Sequence, residues 1–292
     1  MSLILPLIAF IVGLCLAQYK LSEHLKPLLA TLLARVFIPI VIVYNMVFYQ
    51  PGSLSLMLFS FISAGLLYGL FITLFKDRLG ALCFSYVNMA WLGFPFAIAI
   101  FGPQISPAIV ALYIGGSIFG NIWAVTAVST EPQAKRIILK KVMQSPPFIA
   151  LVLAGFCRLL DVQNIQNTHW FDLVYHASKV GMTFAGMCVL GMWLRKTKVN
   201  FNDLKRSSMI LALKLVCGLV LCSIAYFYLP IPRIQEYIGV MFLLFCLPPA
   251  ANIVALETHY QGTGLSAKYI ASGTMVSCVV IAVYGMLLHF YF

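Results

Sequence analysis

Ten runs of apolar residues, each roughly 20 residues long and so able to cross a bilayer as a helix, fill almost the whole of this sequence. Of the 292 residues, 62% are hydrophobic and 9% are charged, whereas a soluble domain has about 25% charged residues. In lipid the backbone must satisfy its own hydrogen bonds, so the fold class is predicted to be an all-α integral membrane protein with ten transmembrane helices. The spans are 2–18, 27–49, 53–75, 79–101, 106–128, 146–160, 172–194, 207–229, 236–260 and 266–290.

The basic residues are distributed unevenly among the loops between these spans. Loops after odd-numbered spans hold nearly all of them, whereas loops after even-numbered spans hold only Arg158 and Arg233. Because basic loops stay in the cytoplasm, the asymmetry predicts a multi-pass protein of the plasma membrane, or of a bacterial inner membrane, with both termini outside. This orientation accounts for the net charge of +11 without nucleic acid as a partner. Segment 1–18 lacks a basic start and a cleavage site, so it is interpreted as a retained helix, not a signal peptide.

Short segments recur at an offset of five spans, which indicates an internal repeat. Five spans per copy mean that the second copy is inserted upside down, as an inverted-topology repeat. The predicted organisation is a first five-helix repeat (1–128), a cytoplasmic connecting loop (129–145) and a second five-helix repeat (146–292). The matching segments are 6–13 with 147–155, 34–36 with 178–180, and 116–117 with 273–274.

Two spans carry prolines and polar residues near their middle, in corresponding halves of the chain. Proline removes a backbone donor and clashes with the preceding turn, so both helices are predicted to break or kink. Half-helices that begin near Pro95 and Pro249 would each direct free N–H groups and a positive helix end at the bilayer centre, which favours an anion. The positions are Asn88, Gly93 and Pro95 in the fourth span, and Pro248, Pro249 and Asn252 in the ninth.

The same residues resemble a family signature. The segment Asn88-Met-Ala-Trp-Leu-Gly93-Phe-Pro95 resembles the fourth helix of the auxin efflux carrier family, which includes the plant PIN-formed carriers and short bacterial transporters. Residues 248–252, 260–262 and 272–274 resemble its ninth and tenth helices. The resemblance covers all ten spans. It implies inverted repeats with broken helices 4 and 9 crossing at the midplane, a scaffold of helices 1, 2, 6 and 7, and a moving unit of the other six.

The resemblance further implies a small organic anion, a carboxylate, as substrate, and a homodimer formed through the scaffold. The short connection 130–143 departs from the long regulatory loop of the plant carriers, so their control by phosphorylation is not carried over.

Polar residues near the breaks are the candidate ligands of the anion. Asn88 and Asn252 can donate hydrogen bonds without burying a charge, although a lone asparagine can equally bridge two helices. Ser117, Asn121 and Thr274 are candidate lining groups, with close helix packing as the alternative explanation. The predicted substrate-binding set is Asn88, Gly93, Pro95, Ser117, Asn121, Pro248, Pro249, Asn252 and Thr274.

Three basic residues, Arg35, Lys179 and Lys214, enter the membrane and are candidates for gating or charge balance. Lys214 lies about 10 Å from the predicted cytoplasmic end, close enough for its ammonium to reach the interface. No carboxylate lies near the midplane, since Glu257 is about 12 Å beyond the ninth-span break. This argues against a sodium/proton antiporter, although backbone carbonyls at the breaks could still bind sodium.

No enzyme, cofactor or metal site is indicated. The sequence contains no hydrolase, zinc-protease or phosphate-loop motif, and its eight cysteines lie in apolar spans without Cys-x-x-Cys spacing. The predicted function is a secondary transporter that moves an organic anion by alternating access. Two alternatives are a sodium-coupled organic anion symporter of the bile-acid type and a membrane receptor that binds a carboxylate without transport.

Overall fold

The computed structural model describes residues 4–48, 52–128, 135–160, 169–254, 257 and 265–291, and most of them are helical. Within these ranges the helices are α1 (Ile4–Leu16), α2 (Ser22–Val47), α3 (Ser53–Phe75), α4 (Arg78–Ser85), α5 (Met89–Phe101), α6 (Pro103–Val128), α7 (Lys135–Met143), α8 (Pro146–Leu159), α9 (His169–Lys196), α10 (Phe201–Tyr228), α11 (Ile234–Cys246) and α12 (Leu265–Tyr291).

Six of the helices in the described part of the chain, α2, α3, α6, α9, α10 and α12, are long and apolar enough to cross a membrane. Four more, α1, α5, α8 and α11, are apolar but shorter. One side of α10 exposes large apolar side chains such as Val216, Leu219 and Phe227, as a lipid-facing helix does. The chain is therefore an all-α, multi-pass membrane protein, and this level of the prediction is confirmed.

Local capping signals decide several helix ends. The Asp77 carboxylate accepts a hydrogen bond from the Gly80 backbone N–H at 2.9 Å and begins α4. Asn200 and Asp203 form a capping box that begins α10 at Phe201, six residues earlier than the apolar run alone predicts. Segment 129–145, predicted as a loop, contains α7, whose sequence is KRIILKKVM.

The helices pack as two groups. In the first group α1 packs along α9, and α2 packs on both α8 and α9. In the second, α3 packs against α4 and α6, while α10 packs against α11 and α12. The groups meet where α9 contacts α5 and where α2 contacts α6.

The closest contact in the first group depends on two glycines that face each other across α1 and α9. A Cβ on Gly13 would lie 2.1 Å from the Cys188 carbonyl oxygen, and one on Gly191 would lie 2.4 Å from the Phe10 carbonyl oxygen. Small residues let two membrane helices approach until their backbones touch, which maximises van der Waals contact. The α1–α9 pair therefore has a fixed geometry in which neither glycine can be replaced.

Candidate functional site: paired helix breaks beside a cavity

The fourth span is interrupted at residues 86–88, between α4 and α5. Helix α4 ends at Ser85, and the backbone of Tyr86 is extended (φ −94°, ψ 109°). Helix α5 then begins at Met89 with a π-helical turn, Met89–Gly93, and Asn88 is its N-cap. Pro95 lies inside α5, where the chain is already helical on both sides. The prediction that the half-helix begins near Pro95 is therefore wrong, because the Asn88 side chain caps the helix at Met89, six residues before the proline.

The ninth span is interrupted at residues 247–250, and here the prolines do mark the break. Helix α11 ends at Cys246, and Leu247 is extended (φ −75°, ψ 146°) because the residue before a proline is driven out of the helical region. The helix resumes at residues 252–254.

The two breaks pair with each other across the bundle. Val87 and Pro249 form an isolated antiparallel bridge. The Asn88 backbone N–H donates to the Pro248 carbonyl at 2.8 Å, and the Ala250 N–H donates to the Tyr86 carbonyl at 2.9 Å. A broken helix in lipid leaves backbone groups without partners, and each break here supplies the partners of the other. The pairing gives non-helical backbone a stable place deep in an apolar protein.

A cavity of about 200 Å³ lies against this crossover. It adjoins a second, of about 400 Å³, with which it shares Ala34, Tyr86, Tyr113, Ser117 and Asn252. The second cavity extends along the C-terminal half of α6 to the α7–α8 junction at residues 144–147. The described lining residues of both cavities include neither a carboxylate nor a basic side chain. The crossover is therefore reached from one end of the bundle through an uncharged passage.

Asn88 has the most unusual environment among the cavity residues. Only 4% of the residue is exposed. Its Oδ1 accepts a hydrogen bond from the Trp91 backbone N–H at 3.2 Å, which caps α5. Its Nδ2 is buried and has no hydrogen-bond partner among the described residues. A buried donor without a partner costs about 1–3 kcal/mol, so the amide is suited to receive an acceptor from a ligand.

Other members of the predicted set also line the passage. The Asn252 Nδ2 donates to the Tyr86 hydroxyl at 3.2 Å and lines both cavities. Ser117 lines both as well, and Asn121, one turn later on α6, lines the larger one. The Asn121 Nδ2 donates to the Ser117 carbonyl at 2.8 Å, which leaves the amide oxygen of Asn121 as an acceptor.

The remaining predicted ligands lie off the passage. Thr274 is fully buried, and its hydroxyl donates to the Ile270 carbonyl of its own helix at 2.7 Å. Gly93 and Pro95 are buried inside α5. Pro248 and Pro249 line a different cavity, of about 40 Å³, behind the crossover. The structure thus brings Asn88, Ser117, Asn121 and Asn252 to the passage, whereas the other five line neither of its two cavities.

The three basic candidates have three different surroundings. Arg35 lies in a π-helical turn of α2, exposed, and lines none of the described cavities. Lys179 is buried, with its Nζ 4.3 Å from the centre of the Tyr175 ring. Lys214 is 3% exposed, and its Nζ donates to the Leu247 carbonyl at the end of α11. The prediction that the Lys214 ammonium reaches the interface is wrong, because a free backbone carbonyl draws it inward.

The predicted substrate-binding set contains none of the aromatic residues of the passage. Tyr86, Tyr113 and Trp91 all line the smaller cavity. The Tyr86 ring fits only because residue 120 is glycine, since a Cβ there would lie 2.4 Å from the ring carbons. An aromatic residue inside an apolar span gives no signal of which way it faces, but the glycine-rich segment 115–120 of α6 does indicate a close approach.

The end of the bundle opposite the passage is closed by polar contacts between the two helix groups. The Tyr175 hydroxyl of α9 donates to the Ser106 hydroxyl of α6 at 2.9 Å, or to Asn45 Oδ1 of α2 at 3.3 Å. Tyr44 stacks on Tyr175 with ring centres 3.8 Å apart and donates to the Asp172 carboxylate at 2.6 Å. These contacts join α2, α6 and α9 beyond the crossover.

No group of three or more His, Cys, Asp or Glu residues in the described part of the chain could hold a metal ion. Comparison of the sequence with models of protein families gives no match, and comparison with curated proteins gives none either.

Proposed function

We propose that this protein is a secondary transporter that moves a small organic anion, a carboxylate, across the plasma membrane by alternating access. The observation that carries the proposal is the Asn88 side chain, whose Nδ2 is buried without a partner beside an open cavity. The amide lies at the N-terminus of α5, where the positive end of the helix dipole adds to the attraction for an anion. An uncharged site can bind the anion and still release it, because no fixed cation holds it in place.

The packing supports ten spans arranged as two inverted five-helix repeats. When α4 with α5 is taken as the fourth span and α11 with residues 247–254 as the ninth, three of the contacts have counterparts five spans away. The pair α3–α6 corresponds to α10–α12, α3–α4 corresponds to α10–α11, and α1–α9 corresponds to α8–α2. The crossover follows the same symmetry, since Asn88 donates to Pro248 and Ala250 donates to Tyr86.

The division into two helix groups supports alternating access. The passage lies between the groups and is open at the α7–α8 end, whereas the Tyr175 contacts close the other end. In the proposed topology the open end faces the cytoplasm, because the basic segment 135–141 lies beside it. Movement of α3–α6 and α10–α12 against α1, α2, α8 and α9 would exchange which end is open. We propose that two copies of the protein form a homodimer through the first group, α1, α2, α8 and α9.

Two experiments test this function in sequence. The purified protein is screened for thermal stabilisation by mono- and dicarboxylates, with the corresponding amides and amines as controls, because a ligand of the folded state raises its apparent stability. Carboxylates that stabilise it are then tested for flux in proteoliposomes. We expect saturable binding and flux of an anion, and tighter binding of an amine than of any carboxylate would contradict the anion assignment. Binding without flux would favour the receptor, and flux that requires sodium would favour the symporter.

A further inference from the structure

Lys214 is a buried cation at a position where the fold concentrates negative electrostatic potential. It is 3% exposed, lies on α10 and donates to the Leu247 carbonyl. Burying an ammonium inside a membrane protein is unfavourable unless its charge is compensated. Among the described residues around the small cavity next to it there is no carboxylate. The compensation must therefore come from elsewhere.

Two helix C-termini meet at this place. Helix α11 ends at Cys246, one residue before the carbonyl that Lys214 contacts, and α4 ends at Ser85. Cys83 and Phe84, in the last turn of α4, line the same small cavity as Lys214. Each helix C-terminus exposes unpaired carbonyls and about half a negative charge. Two such ends together supply close to the one negative charge that an ammonium needs.

The crossover therefore has two electrostatically opposite sides. The N-terminus of α5 and Asn88 face the passage, whereas the C-termini of α4 and α11 face Lys214. In transporters built from broken helices, half-helix N-termini bind the anionic substrate, and half-helix C-termini with unwound carbonyls coordinate the coupling cation. Lys214 lies on the second of these sides.

We propose that the Lys214 ammonium is a tethered cation that takes the place of a soluble coupling cation at the crossover. It neutralises the two helix ends and holds the Leu247 carbonyl, so the substrate site is assembled without sodium or potassium. This inference rests on the proposed function for its meaning in transport. It follows that transport by the unmodified protein does not depend on these cations.

Cation rescue of stability tests the inference without any transport assay. The apparent melting temperature of purified protein is measured in sodium, potassium, methylammonium or ethylammonium chloride, against N-methyl-D-glucamine chloride at equal ionic strength. We expect the unmodified protein to show no difference among these salts. Lys214→Ala leaves the space of the lysine side chain empty, so its melting temperature should be lower in N-methyl-D-glucamine chloride. A small cation should restore that melting temperature with a saturable concentration dependence. Lys205→Ala, an exposed lysine on the same helix, is the matched control and should behave like the unmodified protein.

Lys214→Met and Lys214→Arg complete the test. Methionine fills the space of the lysine side chain without a charge, and arginine fills it with one. Lys214→Met should melt lower and not recover, whereas Lys214→Arg should stay closer to the unmodified protein. If Lys214→Ala does not fold in any salt, the difference in melting temperature between Lys214→Met and Lys214→Arg decides whether the site needs a cation. The inference is overturned if sodium saturably stabilises the unmodified protein, if no cation restores folded Lys214→Ala, or if Lys214→Met is as stable as the unmodified protein. Cation rescue of Lys214→Ala without flux of any anion would instead contradict the proposed function alone.

Discussion

Replacement of Asn88 separates ligand binding from helix capping, because its two side-chain atoms have different roles. Oδ1 caps α5 through the Trp91 N–H, and Nδ2 is the buried donor without a partner among the described residues. Asn88→Ala removes both. The lost cap should lower stability by about 0.5–2 kcal/mol, and removal of the unpaired donor should offset part of that loss. It should also weaken carboxylate binding by about 1.5–3 kcal/mol, or about 10- to 150-fold, for the lost hydrogen bond to a charged group.

Asn88→Asp keeps the capping oxygen but places a second carboxylate beside that of the substrate. Aspartate caps a helix as well as asparagine and interacts favourably with the helix dipole, and these two effects oppose the cost of burying its charge. Its carboxylate would repel the substrate's by about 4 kcal/mol at about 4 Å and an effective dielectric constant of about 20, which is on the order of 1000-fold in affinity. Asn88→Asp should therefore bind the carboxylate more weakly than Asn88→Ala.

The pH dependence of binding tests whether charge repulsion weakens the affinity of Asn88→Asp. Repulsion by the bound anion raises the pKa of the introduced carboxyl, so affinity of Asn88→Asp should rise as the pH falls through that value. Binding is measured by thermal shift and calorimetry, with a sulfonate analogue of the stabilising carboxylate, because a sulfonate remains ionised throughout. Asn88→Ser keeps a capping oxygen but loses the amide donor, so it should bind like Asn88→Ala and melt higher. Equal affinity of Asn88→Asp and Asn88→Ala at every pH would refute the reasoning.

Three further predictions follow from the packing and the topology. Gly120→Ala should reduce flux because its Cβ would lie 2.4 Å from a tyrosine ring of the passage. Gly65→Ala, whose Cβ would have no atom within 4 Å, should leave flux unchanged. Equal flux of the two variants in proteoliposomes would exclude that ring from the passage. Pro249→Ala should reduce flux more than Pro95→Ala, since only Pro249 lies in the bridge between the breaks, and the reverse order would contradict a site at the crossover. Reporters active only in the cytoplasm should work when fused within 129–145, and a reporter active only outside should work at the C-terminus. If 129–145 and the C-terminus are both cytoplasmic, five spans after the connecting segment are ruled out.

The amino-acid sequence by itself determined the class of the protein and the approximate place of its breaks. Composition and the length of the apolar runs are sufficient for an all-α membrane protein, because lipid admits few other structures. Polar residues and prolines inside an apolar run mark an interruption, since lipid penalises both. The apolar run alone does not predict the residue at which the helix ends. In the fourth span that residue was decided by the cap at Asn88 and by backbone hydrogen bonds with the Pro248 carbonyl and the Ala250 N–H, which are far along the chain.

Only the tertiary structure decided which side chains face the passage. In a membrane the lipid and the protein core are equally apolar, so periodicity does not separate a residue that faces lipid from one that faces a cavity. For that reason no signal in the sequence shows that Tyr86 and Trp91 line the passage. Thr274, a polar residue, instead donates a hydrogen bond to its own helix. Lys214 turned inward because the end of α11, an element distant in sequence, presents a carbonyl at its ammonium. The direction of a long side chain is decided by the partner that folding brings to it.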